Sequence, residues 1–397
     1  MDRQSIKIGV ISDLHCAYSK EYESHDTILF SNILKNGNRK NQVLALLKYI
    51  KDNSLTCDYL LCPGDITNKM DVQGLISGYG FLREIQDALG AKQLICTPGN
   101  HDVDFCRENR PLFPNACDSL KHLDVDNYPL SDESLSKSLL NEGACVYCDD
   151  EIAILCVNSV TNFTDKESAQ RIFLSETLLS HIDSKLQKIP KNIKVRVALT
   201  HHHPTSLTDL NFRKYDNKDI IENGDQLIAL LDQHQFGLFI HGHKHKAQLK
   251  ITESVTLFCA GSFSAKQNTQ LGDDENLFHI IEIEPKNPKK GIIRSWSYGE
   301  ASSWKPSYHF PAETGFGATK SGTELASEIG DYLKRQYKDK STTVPYQDII
   351  ERFPEVKFLH EKEKVKMYNE LEKHDCMYSK SYNDKIMFII NSSLTSE

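Results

Sequence analysis

The sequence predicts an α/β fold whose sheets close into a β-sandwich flanked by helices, followed by a small, mainly helical C-terminal module. Three observations predict it. Several short apolar runs end abruptly in polar residues and Gly, and helix-like stretches separate the early ones. After His245 the pattern changes to strands without helices. Beyond about residue 315 the three- and four-residue periodicity of helices dominates.

The elements follow in chain order. Ile6 to Ile11 reads as a strand ending in Ser12-Asp13-Leu14-His15, Tyr59 to Cys62 ends in Pro63-Gly64-Asp65, and Gln93 to Cys96 leads into Pro98-Gly99-Asn100-His101-Asp102. Gln42 to Lys51 and Leu75 to Leu89 carry helical spacing between them. Residues 104–148, rich in Asp, Ser, Asn and Pro, read as an insertion beside the site. Ile193 to Leu199 ends in Thr200 and three histidines, and Phe236 to Ile240 ends in His241-Gly242-His243-Lys244-His245. Ile251 to Ala260, Leu277 to Ile283 and Gly291 to Tyr298 alternate as a half-exposed antiparallel sheet would. Ser302 to Gly322, with Trp304 and two prolines, reads as a linker or covering loop, which divides the chain into residues 1–314 and 315–397. In the second part Glu324 to Tyr337, Tyr346 to Phe353 and Glu361 to His374 are predicted helices and Lys385 to Ile390 a strand, an order compatible with a winged-helix-like module.

With 397 residues, 39% hydrophobic and 26% charged, the chain has enough apolar material for one large core and a smaller second one. Its longest apolar runs fall far short of the roughly 20 residues a membrane-spanning helix needs. The start MDRQSIKIGV shows no apolar segment followed by a small-residue cleavage site, so export is not expected. Eleven scattered cysteines suit the reducing cytoplasm better than a disulfide framework, and the one CxxC, Cys145 and Cys148, has no second pair to complete a zinc site. The formal charge of -8 argues against a protein built around a nucleic-acid footprint.

Eight of the sixteen histidines fall into the four short segments just described, all at predicted strand ends. Ligands gather outside the carboxyl ends of strands in such sheets. Asp13 and His15, one residue apart, project to one side of an extended strand end, as ligands of one ion must. Asp65 can use both carboxylate oxygens to bridge two cations. Asn100, His101 and Asp102 present an amide oxygen, an imidazole and a carboxylate on one turn. His243 and His245 repeat the one-residue spacing, and their nitrogens suit Zn, Fe or Mn. Tyr18, Tyr22 and His25 follow the first pair and read as loop residues; Asn158-Ser159 ends an apolar strand and reads as sheet-edge support.

Five blocks, DLH at 13–15, GD at 64–65, GNHD at 99–102, the histidines at 201–203 and GHKH at 242–245, resemble in type, order and location those of the calcineurin-like metallophosphoesterase superfamily. The resemblance covers roughly residues 5–300. It implies a four-layer β-sandwich flanked by helices, with a dinuclear metal site of Mn, Fe or Zn. By position, Asp13, His15, Asp65 and His245 would hold one metal ion. Asp65, Asn100, His243 and either His201 or His202 would hold the second. Counting back from Pro204 favours His202; the Thr200 strand end favours His201. His241 reads as a supporting residue. The resemblance further implies hydrolysis by a metal-bridging hydroxide, with His101 donating a proton to the leaving group and Asp102 orienting or stabilising His101.

The expected substrate is a small phosphate mono- or diester, a nucleotide or cyclic nucleotide among the options, with a metal-dependent nuclease as the alternative and an inactive protein-binding scaffold as the third reading. From residue 320 onward 13 Lys and Arg stand against 14 Asp and Glu, which favours protein contact over nucleic acid for the C-terminal module. No membrane association is expected.

Overall fold

The computed structural model describes residues 5–18, 29–31, 41–103, 117–123, 125–164, 169, 171–205, 220–252, 255–265, 275–299, 303–337 and 342–373, and the backbone of Cys376–Lys380 and Ile386–Ile390. In chain order the strands are β1 (Ile6–Val10), β2 (Tyr59–Cys62), β3 (Gln93–Cys96), β4 (Ala144–Cys148), β5 (Ile152–Val157), β6 (Val195–Leu199), β7 (Leu238–His241), β8 (Ala247–Ile251) and β9 (Thr256–Ala260). They continue with β10 (Asn276–Ile283), β11 (Gly291–Tyr298), β12 (Trp304–Pro306), β13 (Glu313–Phe316), β14 (Thr342–Pro345), β15 (Cys376–Lys380) and β16 (Ile386–Ile390).

Two sheets carry the site. The first has the order β12-β11-β10-β1-β2-β3 and the second β4-β5-β6-β7-β9-β8. Within them β1, β2 and β3 are parallel neighbours, as are β5, β6, β7 and β9. Such strands must be apolar on both faces, and Tyr59–Cys62 and Ile152–Val157 are buried at every residue. One apolar core draws on both sheets, with Leu60, Cys96 and Phe278 from the first and Leu155, Ala198 and Phe239 from the second. Helices follow the parallel strands as the periodicity predicts. Gln42–Asp52 starts at Asn41, whose side chain accepts from the Val43 and Leu44 N–H groups, and Val72–Leu89 starts at Asp71, which accepts from Gly74. Among the described residues no helix is long and apolar enough to cross a membrane.

Four expectations need correction. Ile251 to Ala260 is not one strand: β8 and β9 form an antiparallel pair in the second sheet, with Ala247 opposite Ala260. β10 and β11 belong to the first sheet, so the strands after His245 extend both layers and do not make a separate antiparallel sheet. β10 is largely buried, since β1 flanks it on the inner side and the core covers it. Residues 104–148 are not wholly irregular: Glu133–Glu142 is a helix capped by Asp132, and β4 forms an edge of the second sheet. Finally, the start of the expected linker is pinned. Trp304 is buried, stacks on Phe263 with centroids 5.4 Å apart, and donates its indole N–H to the Gln42 carbonyl at 3.0 Å.

The CxxC lies on β4, where residues three apart point to opposite faces; Cys145 is buried and Cys148 exposed, so the two do not converge on one ligand.

Internal contacts divide the chain into two units, Met1–Lys289 with Arg294–Ala312, and Lys290–Ile293 with Glu313–Glu397. In the second unit a helix at Gly322–Gln336 opens with a reciprocal Ser321–Glu324 cap. It packs with Tyr346–Arg352 and Glu361–Glu372 around Leu325, Ile329, Leu333, Ile349, Val356 and Met367. β14, β16 and β15 form an antiparallel sheet in that order. β14 and β15 escaped the sequence reading because both are short and one runs directly into a helix.

Candidate metal centre

Each predicted site residue follows the carboxyl end of a parallel strand, and the sheet register sets these ends side by side. Asp13 N–H donates to the Gly64 carbonyl at 3.1 Å and His15 N–H to the Asp65 carbonyl at 2.9 Å, which ties the loop after β1 to the loop after β2. In the second sheet Gly242 N–H donates to the His201 carbonyl at 3.0 Å. The sheets are then stitched together at the site: His243 N–H donates to both Asp13 carboxylate oxygens at 3.0 and 3.1 Å.

Two groups of donors result. Asp13, His15, Asp65 and His245 bring ligand atoms within 4.8 Å of one another, and so do His201, His202 and His243. Asn100 Oδ1 joins the latter group, 2.9 Å from His201 Nε2 and 2.9 Å from His243 Nδ1. His201 Nδ1 faces the Pro63 carbonyl at 2.9 Å, so its N–H is used there and the Nε2 lone pair turns toward Asn100, His243 and Asp65. His202 Nδ1 faces Ser159 Oγ at 2.8 Å, a contact that moves Ser159 from sheet-edge support to the wall of the site.

The backbone pays for this convergence. Asp13, His15, Asp65, His243 and His245 all lie at positive φ, between 45° and 79°. Non-glycine residues rarely adopt that region, which costs on the order of 1 kcal/mol or more each, and such strain gathers at functional sites. Glycines supply the remaining close approaches. A Cβ on Gly99 would stand 2.2 Å from Asp65 Oδ1 and 2.4 Å from its backbone nitrogen; one on Gly242 would stand 2.2 Å from Ser12 Oγ and 2.4 Å from Asp13 Oδ2. Gly99→Ala is therefore expected to displace Asp65, lowering stability by about 1–3 kcal/mol and weakening metal retention. Thermal melts and metal analysis of that variant, compared with an alanine at Gly80, where an added Cβ meets open space, check it.

The electrostatics suit a cation site. Burial alone would raise the Asp65 carboxyl, but His201 and His101 outweigh it and hold it well below the usual range. Burial opposes protonation of His201, yet Asp65 lifts it to about 9; burial likewise opposes His245, which Asp13 raises. His15 is lowered by burial and by the neighbouring imidazoles. Its Nε2 stands 2.8 Å from His245 Nε2, and its Nδ1 is buried with no hydrogen-bond partner. Imidazole nitrogens facing one another beside two aspartates fit a shared cation better than they fit each other.

Asn100–Asp102 forms a single 3-10 turn. The His101 backbone N–H donates to Asp65 Oδ1 at 2.7 Å, while its ring Nδ1 lies 3.2 Å from Asn68 Oδ1. The Asp102 oxygens accept from Thr67 N–H at 2.9 Å and Gly99 N–H at 2.8 Å, so Asp102 acts on His101 through the turn, while the Asn68 side chain and the His15 ring, its centroid 4.6 Å away, meet the His101 ring. Burial, then Asp65, raises the Asp102 carboxyl to about 7.

Tyr18 is exposed, with its N–H on Asp71 Oδ2 at 2.7 Å; Tyr22 and His25 lie outside the described residues. His241 belongs to neither donor group; its Nδ1 lies 3.2 Å from His203 Nδ1. Sequence reading missed Asn68 and Ser159, which are common polar residues without a spacing signal.

A strained, histidine- and aspartate-lined cleft at the strand ends of an α/β sandwich defines a metal-binding class of protein. The calcineurin-like phosphoesterase family matches residues 6–247, and the chain belongs to that family. A search of curated proteins found no match. Among solved structures, the purple acid phosphatase from yellow lupin (Lupinus luteus) is 12% identical, with a TM-score of 0.49 over 75% of this chain and 52% of that one. This chain thus spans about half the length of the lupin protein. A dimetal phosphatase from Danio rerio is 12% identical, with a TM-score of 0.47 over 74% of this chain and 96% of that one. Vps29 from Entamoeba histolytica is 13% identical, with a TM-score of 0.34 over 79% of this chain and 100% of that one.

Proposed function

We propose that this chain is a two-cation phosphoesterase that hydrolyses mono- or diesters of small phosphorylated molecules, nucleotides and cyclic nucleotides among them. One observation carries the reading: Asp65 Oδ2 lies 3.7 Å from His15 Nε2 and 3.3 Å from His201 Nε2, so a single carboxylate faces both donor groups. In this reading Asp13, His15, Asp65 and His245 hold one cation, and Asp65, Asn100, His201 and His243 hold the other. His201 is preferred to His202 because its Nε2 meets Asn100, His243 and Asp65 together, whereas His202 Nδ1 is engaged by Ser159. The nitrogen and oxygen donors suit Mn, Fe or Zn.

Two cations in this arrangement supply neutralisation of the phosphate oxygens and a lowered pKa for water. The chain's own residues do the rest. His101, with Nδ1 held at Asn68, turns its other nitrogen toward the ester oxygen that departs as water forms the new bond to phosphorus. That oxygen takes a proton from His101 as the old P–O bond breaks. Asp102 keeps the turn rigid by anchoring Thr67 and Gly99.

The second unit is read as a winged-helix-like module, supported by its helix-strand-helix-helix-strand-strand order. Its near-balanced charge favours a protein partner over nucleic acid. The chain is read as cytoplasmic on its eleven scattered cysteines, a usage that suits a reducing compartment.

Protein reconstituted with Mn is expected to hydrolyse a bis(nitrophenyl) phosphate, with activity abolished by chelator and restored by metal. Absence of turnover on aryl mono- and diesters with Mn, Fe and Zn alike would overturn the reading. Faster cleavage of oligonucleotides than of cyclic nucleotides by the same preparation would replace it with the nuclease alternative.

A further inference from the structure

A further histidine cluster adjoins the donor groups already described, its His203 ring 5.6 Å from that of His243. His203, His241 and Cys259 are each no more than 1% exposed, and their ligand atoms fall within 4.8 Å of one another. The sheet builds the cluster. β7 and β9 are parallel neighbours with His241 directly opposite Cys259, so both side chains leave the same face, and β6, on the other side of β7, leads into His203. His203 is itself fixed, its carbonyl accepting from Ile221 N–H at 2.9 Å.

The polar atoms of this cluster are not satisfied by one another. His203 Nδ1 and His241 Nδ1 are 3.2 Å apart, but Nε2 of both rings is buried without a hydrogen-bond partner. One proton between the two Nδ1 atoms makes a single hydrogen bond, whereas a cation at that place takes a lone pair from each ring. A tetrahedral zinc ion with ordinary Zn–N bonds sets its nitrogen ligands about 3.3 Å apart, close to the spacing found here. Cys259 Sγ lies 3.4 Å from the Gly242 carbonyl and also faces the Gly261 and Lys244 backbone N–H groups.

We propose that His203, His241 and Cys259 form a third metal site, a three-ligand zinc site, beside the two-cation centre. Its donor set is softer, two imidazoles and a thiolate against the carboxylates, amide and imidazoles of the cleft. On binding, the Cys259 thiol gives its proton to solvent and the sulfur takes a place on the ion. The ion cross-links the ends of β6, β7 and β9 directly beneath the loop that carries His243 and His245.

Cobalt provides the probe, because a thiolate bound to Co2+ absorbs in the near ultraviolet and the cleft contains no sulfur donor. The full chain loaded with Co2+ is expected to show this charge-transfer band at about one equivalent per chain. Cys259→Ser and His203→Ala should each abolish it and lower bound metal by about one ion per chain, whereas Asp65→Asn, which disrupts the cleft, should leave it intact. Cys259→Ser is the smallest change in shape, so its circular dichroism and melting curve establish that it folds; should it fail to fold, His203→Gln serves as the second variant. No band in the wild type, or a band that survives Cys259→Ser or loss of His203, would overturn the proposal and leave a packing cluster. A band lost with Asp65→Asn would assign the thiolate to the cleft and overturn it equally.

Discussion

Asp65→Asn is expected to remove both cations of the cleft together and to lower phosphoester turnover by at least about 10³-fold, ~4 kcal/mol of transition-state stabilisation. The size follows from position. Asp65 Oδ2 faces His15 and His201 at 3.7 and 3.3 Å, and Oδ1 holds the His101 backbone N–H at 2.7 Å. An amide at this position has one oxygen in place of two and no negative charge, so neither donor group keeps its central anion. His201, lifted to about 9 by Asp65 above all, should also lose much of its affinity for a proton. Metal analysis on the purified variant reads the first effect, and kcat the second. Two retained ions per chain would refute the bridging role even if activity fell.

His101→Ala should behave in the opposite way, with metal content kept and catalysis lost selectively. General acid catalysis contributes about 10²–10⁴-fold, so alkyl phosphodiesters should slow by that factor. Nitrophenyl esters, whose leaving groups need little protonation, should slow by less than about tenfold. Plotting rate against leaving-group basicity for wild type and variant checks this: the variant's slope should be steeper. Equal losses across the series would assign His101 to substrate binding or to the turn. An Asn68→Ala variant separates these further, since Asn68 touches the ring and is not itself a proposed ligand. It should reproduce a fraction of the His101 effect with the same leaving-group dependence.

Much of the fold was legible because parallel strands buried on both faces must be short apolar runs, and Tyr59–Cys62 and Ile152–Val157 are so by composition alone. Helices with capping side chains, such as Gln42–Asp52 after Asn41, were legible from spacing. Pairing was not. β9 and β10 read alike as alternating strands, yet β9 joins the second sheet and β10 the first, a choice made by long-range packing that local pattern does not encode. Trp304 looked like a linker residue because aliphatic neighbours are sparse, and only the Phe263 ring and the Gln42 carbonyl explain its burial.

The donor residues themselves were written into the chain: polar blocks at strand ends have no reason to recur with one-residue histidine spacing unless they serve a common centre. Which donors meet was decided in three dimensions. His201 and His202 are equivalent in one dimension, and they part only because Pro63 holds one ring and Ser159 the other. The pairing of His241 with Cys259 across β7 and β9 depends on register, and nothing in either segment's sequence announces it. Residue type and order are local properties of a chain; the distance between two donors is a property of the sheets that carry them.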